Sequence, residues 1–106
     1  MHPATLAITA GRAHSGSSLA PALWASSVWQ SADMRDARRR ATGVRSGEFY
    51  GRYANPTVAS FEEAVAVLEG AEASLAFASG MGAISTIVLA LCGQGSHIVA
   101  QRQLYS

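Results

Sequence analysis

Lysine is missing from this 106-residue chain, in which all eight basic residues are arginines. Its absence excludes any reaction in which this polypeptide would form an imine through its own side-chain amine. Cysteine is almost missing as well, and the single Cys92 excludes both an intrachain disulfide and a metal site made of several thiolates. Cys92 follows the apolar run 87–91, so we interpret it as a small hydrophobic core residue. We expect no metal site.

Charge of either sign is scarce in the chain. Eight basic and seven acidic residues leave a net charge of +1, so no global field attracts nucleic acid or an anionic membrane. The one basic run, residues 38–40, stands beside Asp33 and Asp36 and is typical of a solvated helix face. We therefore expect neither a nucleic-acid partner nor a membrane partner.

Long hydrophobic runs are also lacking. Ser79, Ser85 and Gln94 interrupt the longest apolar stretch, which keeps it short of the roughly 20 residues that cross a bilayer. The first residues have neither the basic start nor the apolar run of a signal peptide. These features predict a cytoplasmic protein.

The first half of the chain has little periodicity. Residues 1–30 read as an extended arm with a short strand at 6–9. Residues 31–40 are predicted to form a short helix that Ser31 caps, because acids occur early and arginines late in the segment. Residues 42–54 contain three glycines and are predicted to form a loop.

The next helix is marked clearly at both ends. Asn55 is a good N-cap, Pro56 suits the first helical position, and Gly70 stands where a helix ends. Apolar residues recur at helical spacing between these signals: Val58, Phe61, Val65 and Leu68. Three acidic residues are expected to face water: Glu62, Glu63 and Glu69.

The last third of the chain predicts a strand, a helix and a second strand. Residues 73–78 and 97–100 are short apolar segments that suit buried strands. The intervening helix begins at a glycine turn, ends near Gly93 and has one apolar face: Met81, Ile84, Val88 and Leu91. A strand, a crossover helix and a strand form a βαβ unit, so we predict an α/β fold with a parallel sheet.

The glycine turn at residues 79–82 is the first chemical signal. A helix that begins at Gly80 leaves backbone N–H groups free, with no side chain to keep a phosphate away. The same turn is also typical of a close strand-to-helix connection that binds nothing. A dinucleotide fingerprint is disfavoured, because no acidic residue that could hold a ribose follows Glu72.

Tyr50 and Arg52 form the second signal. A phenol and a guanidinium two residues apart in a loop can both reach one phosphate, with arginine supplying a bidentate fork. By spacing alone, these residues are also ordinary loop composition.

The order of the motifs is more specific than any one of them. They are Tyr50-x-Arg52-x-x-Asn55-Pro56-Thr57, then Leu68-Glu69-Gly70, then Ala78-Ser79-Gly80-Met81-Gly82-Ala83-Ile84, and finally Leu104-Tyr105. Together they resemble the N-terminal segment of the Cys/Met-metabolism (trans-sulfuration) family of pyridoxal-phosphate (PLP) enzymes. This family includes cystathionine γ-synthase and γ-lyase, methionine γ-lyase and the O-succinyl- and O-acetylhomoserine sulfhydrylases. The resemblance departs at Gly51, where the family often has serine, and at Ala22, where it has a second proline.

This resemblance implies roles for five residues. The amides of Gly80 and Met81 would hold the PLP phosphate, and Tyr50 and Arg52 would reach the phosphate of a neighbouring subunit in a homodimer or homotetramer. Tyr105 would stack on the pyridine ring as a cofactor-binding residue, and its hydroxyl would assist proton transfer as a catalytic one. The implied fold is an N-terminal arm and an interface loop, together residues 1–54, followed by the incomplete start of a large fold-type I aminotransferase-like PLP domain, residues 55–106.

The implied activity is PLP-dependent carbon–sulfur chemistry on a sulfur amino acid or activated homoserine: β- or γ-elimination, or γ-replacement. Since the family binds PLP through a lysine and this chain has none, we expect a truncated segment that is inactive alone. The residues also leave open a different class of function. In this alternative the chain is a phosphate-binding βαβ module that acts in binding or assembly without catalysis. Which reaction the family member performs is not encoded in these motifs.

Overall fold

The computed structural model describes residues 1–13, 15–43 and 47–104. The described residues form four helices: α1 (Pro3–Thr9), α2 (Met34–Thr42), α3 (Pro56–Glu69) and α4 (Gly80–Leu91). They divide into two compact units, Met1–Ala76 and Phe77–Ser106. The first unit contains α1 to α3 and the second contains α4. None of the helices in the described part of the chain is long and apolar enough to span a membrane.

Helix α1 replaces the strand that the sequence predicts at residues 6–9, so that prediction is wrong. The Nδ1 atom of His2 accepts a hydrogen bond from the backbone N–H of Ala4 at 3.2 Å, and Pro3 occupies the first helical position. These two features favour a helix start. No strand in the described residues pairs with this segment, so the alternating pattern of Leu6 and Ile8 has no sheet to join.

Helix α2 begins later than the sequence predicts. Asp33, and not Ser31, is its N-cap, and the Asp33 carboxylate accepts a hydrogen bond from the backbone N–H of Asp36 at 2.7 Å. An ionised carboxylate is a strong cap because it also opposes the positive end of the helix dipole. Arg39 and Arg40 lie in the last turn, where arginines were predicted.

Helix α3 confirms the predicted signals at both ends. The side chain of Asn55 accepts a hydrogen bond from the N–H of Thr57 at 2.8 Å, and Pro56 is the first helical residue. Gly70 ends the helix with φ of 64°, a left-handed conformation that glycine adopts without strain.

The buried face of α3 differs from the predicted one. Glu62 was expected to face water, but it is only 8% exposed, whereas Phe61 of the apolar stripe is 60% exposed. The cause is the segment that follows the helix. The Glu62 carboxylate accepts a hydrogen bond from the N–H of Ala76 at 2.9 Å, and its backbone carbonyl accepts one from the Ser74 hydroxyl at 2.7 Å. These bonds draw residues 74–76 over Glu62 and cover it.

Small residues let the N-terminal arm approach α3. Helix α1 packs against α3, and a Cβ atom added to Gly11 would lie 2.2 Å from the carbonyl oxygen of Ser60. Ser60 and Ala66 of α3 are buried, each 7% exposed. The core of the first unit is therefore a close contact between backbones with few large apolar side chains.

Helix α4 begins at the glycine turn and ends near Gly93, as the sequence predicts. Ser79 is the N-cap, and its hydroxyl accepts a hydrogen bond from the N–H of Gly82 at 3.0 Å. Cys92 is the C-cap, and Gly93 begins a turn in which its N–H donates to the Ser96 hydroxyl at 2.9 Å. Residues 79–82 thus form a helix start.

The parallel βαβ unit is not confirmed. Residues 73–78 and 97–100 pair with no strand in the described part of the chain, where a single antiparallel bridge joins Val28 to Tyr50. Parallel strands need neighbours on both sides and cover on both faces. Two short segments of a 106-residue chain supply neither, and the described structure is helical.

Candidate functional site

Two backbone hydrogen bonds hold the Tyr50 loop against the arm. The N–H of Gly51 donates to the carbonyl of Ser27 at 2.8 Å, and the N–H of Trp29 donates to the carbonyl of Phe49 at 3.1 Å. They flank the antiparallel bridge between Val28 and Tyr50. The loop that carries the second chemical signal is therefore held in place by residues 20 to 24 positions earlier in the chain.

A tight turn then brings two tyrosine rings to Arg52. The N–H of Tyr53 donates to the carbonyl of Tyr50 at 2.9 Å, which closes a four-residue turn. The guanidinium carbon of Arg52 lies 5.1 Å from the centroid of the Tyr50 ring and 5.3 Å from that of the Tyr53 ring. Both distances are within the range of a cation–π interaction. The turn therefore places a cation in contact with two aromatic side chains.

Asn55 and Thr57 attach the arm to the start of α3. The Nδ2 of Asn55 donates to the carbonyl of Trp24 at 3.0 Å, while the Oγ1 of Thr57 accepts from the N–H of Trp24 at 2.8 Å. The Thr57 hydroxyl also donates to the carbonyl of Ala22 at 3.0 Å. The polar residues of the Asn55-Pro56-Thr57 motif thus serve two purposes: they begin α3 and they bind the backbone of residues 22–24.

The start of α4 carries two free backbone donors. Of its first three N–H groups, that of Gly82 donates to Ser79, whereas those of Gly80 and Met81 have no hydrogen-bond partner among the described residues. The initial N–H groups of a helix have no carbonyl to bind within the helix. A Cβ added to Gly80 would meet no atom within 4 Å, so the approach to these donors is open.

These features suit a phosphate dianion. Free N–H groups at a helix start lie at the positive end of the helix dipole, and a bare glycine there permits close contact. An arginine with a neighbouring phenol supplies the charge and the donors that phosphate oxygens accept. The residues in each unit therefore fit the phosphate group that the resemblance implies, and each does so by a separate local arrangement.

The structure brings together some of the predicted site residues. Tyr50 and Arg52 are in contact in the first unit, and Gly80 and Met81 share one helix start in the second. Tyr105 lies outside the described residues. The sequence interpretation missed Tyr53, whose only signal was its spacing of three residues from Tyr50 around an arginine.

Comparison with known proteins identifies the class. The family of Cys/Met metabolism PLP-dependent enzymes matches residues 4–106. The chain belongs to this family, whose cofactor is pyridoxal phosphate and whose members have fold type I. The resemblance seen in the sequence motifs is thereby confirmed.

Three individual relatives show how similar the chain is to known enzymes. The O-succinylhomoserine sulfhydrylase of Pseudomonas aeruginosa is 41% identical over 102 residues, which cover 95% of this chain and 25% of the relative. The enzyme of the same name from Mycobacterium tuberculosis is 38% identical over 103 residues, with 96% and 25% covered. The L-methionine gamma-lyase of Streptomyces avermitilis is 54% identical over 57 residues, 53% of this chain and 14% of the relative. No solved structure matches the chain.

The chain covers only part of the length of each of these relatives. The chain spans about a quarter of the length of the two sulfhydrylases that it matches over nearly all its residues. It therefore corresponds to one segment of such enzymes.

Proposed function

We propose that this chain is the N-terminal segment of a PLP-dependent trans-sulfuration enzyme that acts on a sulfur amino acid or an activated homoserine. The reaction class is β- or γ-elimination or γ-replacement at a carbon–sulfur bond. The observation that carries the proposal is the open helix start of α4, where two amides have no partner among the described residues, in a chain that belongs to the Cys/Met-metabolism family. We propose a cytoplasmic location for the enzyme, as expected from the short apolar runs and the first residues of the sequence.

Gly80 and Met81 are proposed to bind the cofactor phosphate through their backbone N–H groups. Ser79 supports them indirectly, because its hydroxyl occupies the N–H of Gly82 and fixes the helix start. A phosphate bound there needs no side chain from α4, and the helix dipole favours its negative charge.

Tyr50 and Arg52 are proposed to bind the phosphate that the Gly80 amides of a neighbouring subunit hold. The guanidinium donates through its planar fork, and the phenol adds one further donor. The site is thus proposed to be complete only in a homodimer or a homotetramer. Family resemblance supports this arrangement.

Tyr105 is proposed to stack on the pyridine ring and to carry a proton on its hydroxyl during the reaction. When bound, PLP supplies an electron sink for the carbanion formed at the substrate. The chain has no lysine for covalent attachment of the cofactor, so we propose that these 106 residues are inactive without further polypeptide.

A chimeric enzyme tests this proposal. The chain replaces the matched quarter of the Pseudomonas aeruginosa sulfhydrylase, which keeps that enzyme's own lysine. We expect the purified chimera to retain PLP through gel filtration, as measured by the visible absorbance of the cofactor. A chimera that forms a soluble oligomer but holds no PLP would contradict the proposal.

The alternative function, a phosphate-binding module without catalysis, predicts a different result. Under that hypothesis the chain alone binds inorganic phosphate or PLP tightly, and addition of the remaining three quarters of the relative changes nothing. Under the enzyme hypothesis PLP is held only when that polypeptide is present. Calorimetric titration of the chain with each compound, with and without the added polypeptide, separates the two.

Gly80→Asp in the chimera tests the phosphate site itself. An acid in the first turn favours the helix but repels a phosphate dianion, so we expect α4 to remain folded and the PLP affinity to fall by about tenfold or more. Gly93→Asp is the matched control, since it adds the same charge just beyond the other end of α4, where a Cβ also meets no atom within 4 Å. Equal PLP affinities for the two variants would place the phosphate elsewhere.

A further inference from the structure

Tyr53 has no role in the function proposed above, yet it contacts the residue on which that function depends. Its ring centroid lies 5.3 Å from the guanidinium carbon of Arg52, and its ring meets the Tyr50 ring edge-on at 6.1 Å with an angle of 63°. We call Tyr50 and Tyr53 the tyrosine pair. Arg52 therefore contacts both members of the tyrosine pair.

The backbone explains why the two rings meet at Arg52. Tyr50 and Tyr53 are the first and fourth residues of the turn closed by their 2.9 Å backbone hydrogen bond, and Arg52 is its third residue. The N–H of Ala54 also donates to the carbonyl of Tyr50, at 3.3 Å. Because Tyr50 is itself bridged to Val28, the turn has a fixed base on the arm.

Arg52 contacts aromatic rings, and this leaves its charge available in a way that an ion pair with a carboxylate would not. Within the described residues Arg52 makes no ion pair, and the two ion pairs found there both join Asp36 to other arginines. A carboxylate partner would neutralise the guanidinium and occupy its N–H donors. Aromatic faces restrain a cation through the ring quadrupole and leave its charge and its in-plane donors for an anion.

We propose that Tyr53 is a positioning residue that holds the Arg52 guanidinium ready for a phosphate dianion. A long arginine side chain loses rotamer freedom when it binds, and a side chain that is already restrained loses less. Tyr53 acts only through Arg52 and touches no ligand itself. This inference rests on the proposed function, since it assigns the phosphate to the PLP of a neighbouring subunit.

The first test measures the contact in the 106-residue chain without any cofactor. Protons of the Arg52 side chain that lie over aromatic rings are shifted upfield in the NMR spectrum. We expect Tyr53→Leu to remove part of this shift and Tyr53→Phe to keep it, because phenylalanine retains the ring. An unchanged Arg52 spectrum in Tyr53→Leu overturns the proposed contact.

The second test measures PLP affinity in the chimeric enzyme. An exposed cation–π contact accounts for roughly a two- to fivefold effect on binding, so we expect Tyr53→Leu to weaken PLP by about that factor. Tyr53→Phe should restore nearly all of the affinity. A loss in Tyr53→Phe as large as that in Tyr53→Leu overturns the proposal, because it assigns the effect to the hydroxyl and not to the ring.

The two tests separate this inference from the function on which it rests. If the unmodified chimera holds no PLP, the proposed function fails. If the unmodified chimera holds PLP and Tyr53→Leu holds it equally well, only the role of Tyr53 fails. Circular dichroism of each variant confirms that the fold is retained before affinities are compared.

Discussion

The backbone N–H of Trp24 donates a hydrogen bond to the side-chain hydroxyl of Thr57, 33 residues later, over 2.8 Å. The same hydroxyl donates to the carbonyl of Ala22. One oxygen atom thus binds two backbone groups of the arm at the start of α3. The loop that carries Arg52 lies between these two segments in the sequence and is held at both of its ends.

Thr57→Val should therefore release the arm. Valine has the shape of threonine but can neither accept from Trp24 nor donate to Ala22, and we expect the free energy of unfolding to fall by about 1 kcal/mol. Urea titration followed by tryptophan fluorescence measures this change, because Trp24 lies at the contact. Thr57→Ser keeps the hydroxyl and is the control. A Thr57→Val variant that is as stable as the unmodified chain would refute the role of the hydrogen bonds.

Substitution of two glycines that both have a left-handed backbone distinguishes the cost of conformational strain from the cost of a steric clash. Gly11 has φ of +73° and Gly16 has φ of +57°, but an added Cβ clashes with the Ser60 carbonyl only at Gly11. Gly16→Ala should cost about 1–2 kcal/mol for the left-handed conformation alone. Gly11→Ala should cost about 1–3 kcal/mol more, since α1 must move away from α3. Urea titrations of both variants measure the difference, and similar values would show that α1 does not pack closely in solution.

Asp36 makes the stability of α2 depend on pH. Hydrogen bonds from the Arg40 side chain, from the N–H of Ala32 and from the Arg39 side chain lower the pKa of the Asp36 carboxyl below its ordinary value of 3.8. A carboxyl whose folded pKa is depressed contributes stability that is present above the unfolded pKa and is lost as pH falls through the folded pKa.

Asp36→Asn should accordingly destabilise the chain at about pH 7 and destabilise it less at a pH below the folded pKa of Asp36, where the carboxyl is protonated in both states. The helical circular dichroism signal during urea titration at the two pH values measures this. Glu63→Gln is the control, because Glu63 is exposed on α3 and makes no ion pair among the described residues. A deficit in Asp36→Asn that is equally large at both pH values would exclude the ion pairs as its cause.

Exchange of subunits between two variants tests whether Arg52 contributes to the cofactor site of the neighbouring subunit. Chimeras with Arg52→Ala and with Gly80→Asp should each bind PLP poorly. If the site is shared between subunits, a mixed dimer contains one site with both defects and one with neither. Random exchange of equal amounts should then restore about a quarter of the sites, measured as PLP retained after gel filtration. No recovery after exchange, with mixed dimers verified by mass spectrometry, would show that Arg52 and Gly80 of one chain act together.

The sequence alone determined the features that depend on near neighbours. Asn55, Pro56 and Gly70 set the ends of α3, and Ser79 sets the start of α4, because each cap is satisfied by a backbone group within a few residues. The motifs determined the family for the same reason, since their identity and spacing are properties of the chain itself.

Only the tertiary structure decided the burial of Glu62 and the position of Arg52. Glu62 is covered because Ala76, 14 residues away, donates to its carboxylate, and no periodicity along α3 records that contact. Arg52 contacts two rings because a turn bridged to the arm directs all three side chains. The predicted strands at 73–78 and 97–100 were not confirmed for a related reason. A strand is stabilised by partners distant in the sequence, whereas a helix satisfies most of its hydrogen bonds within itself.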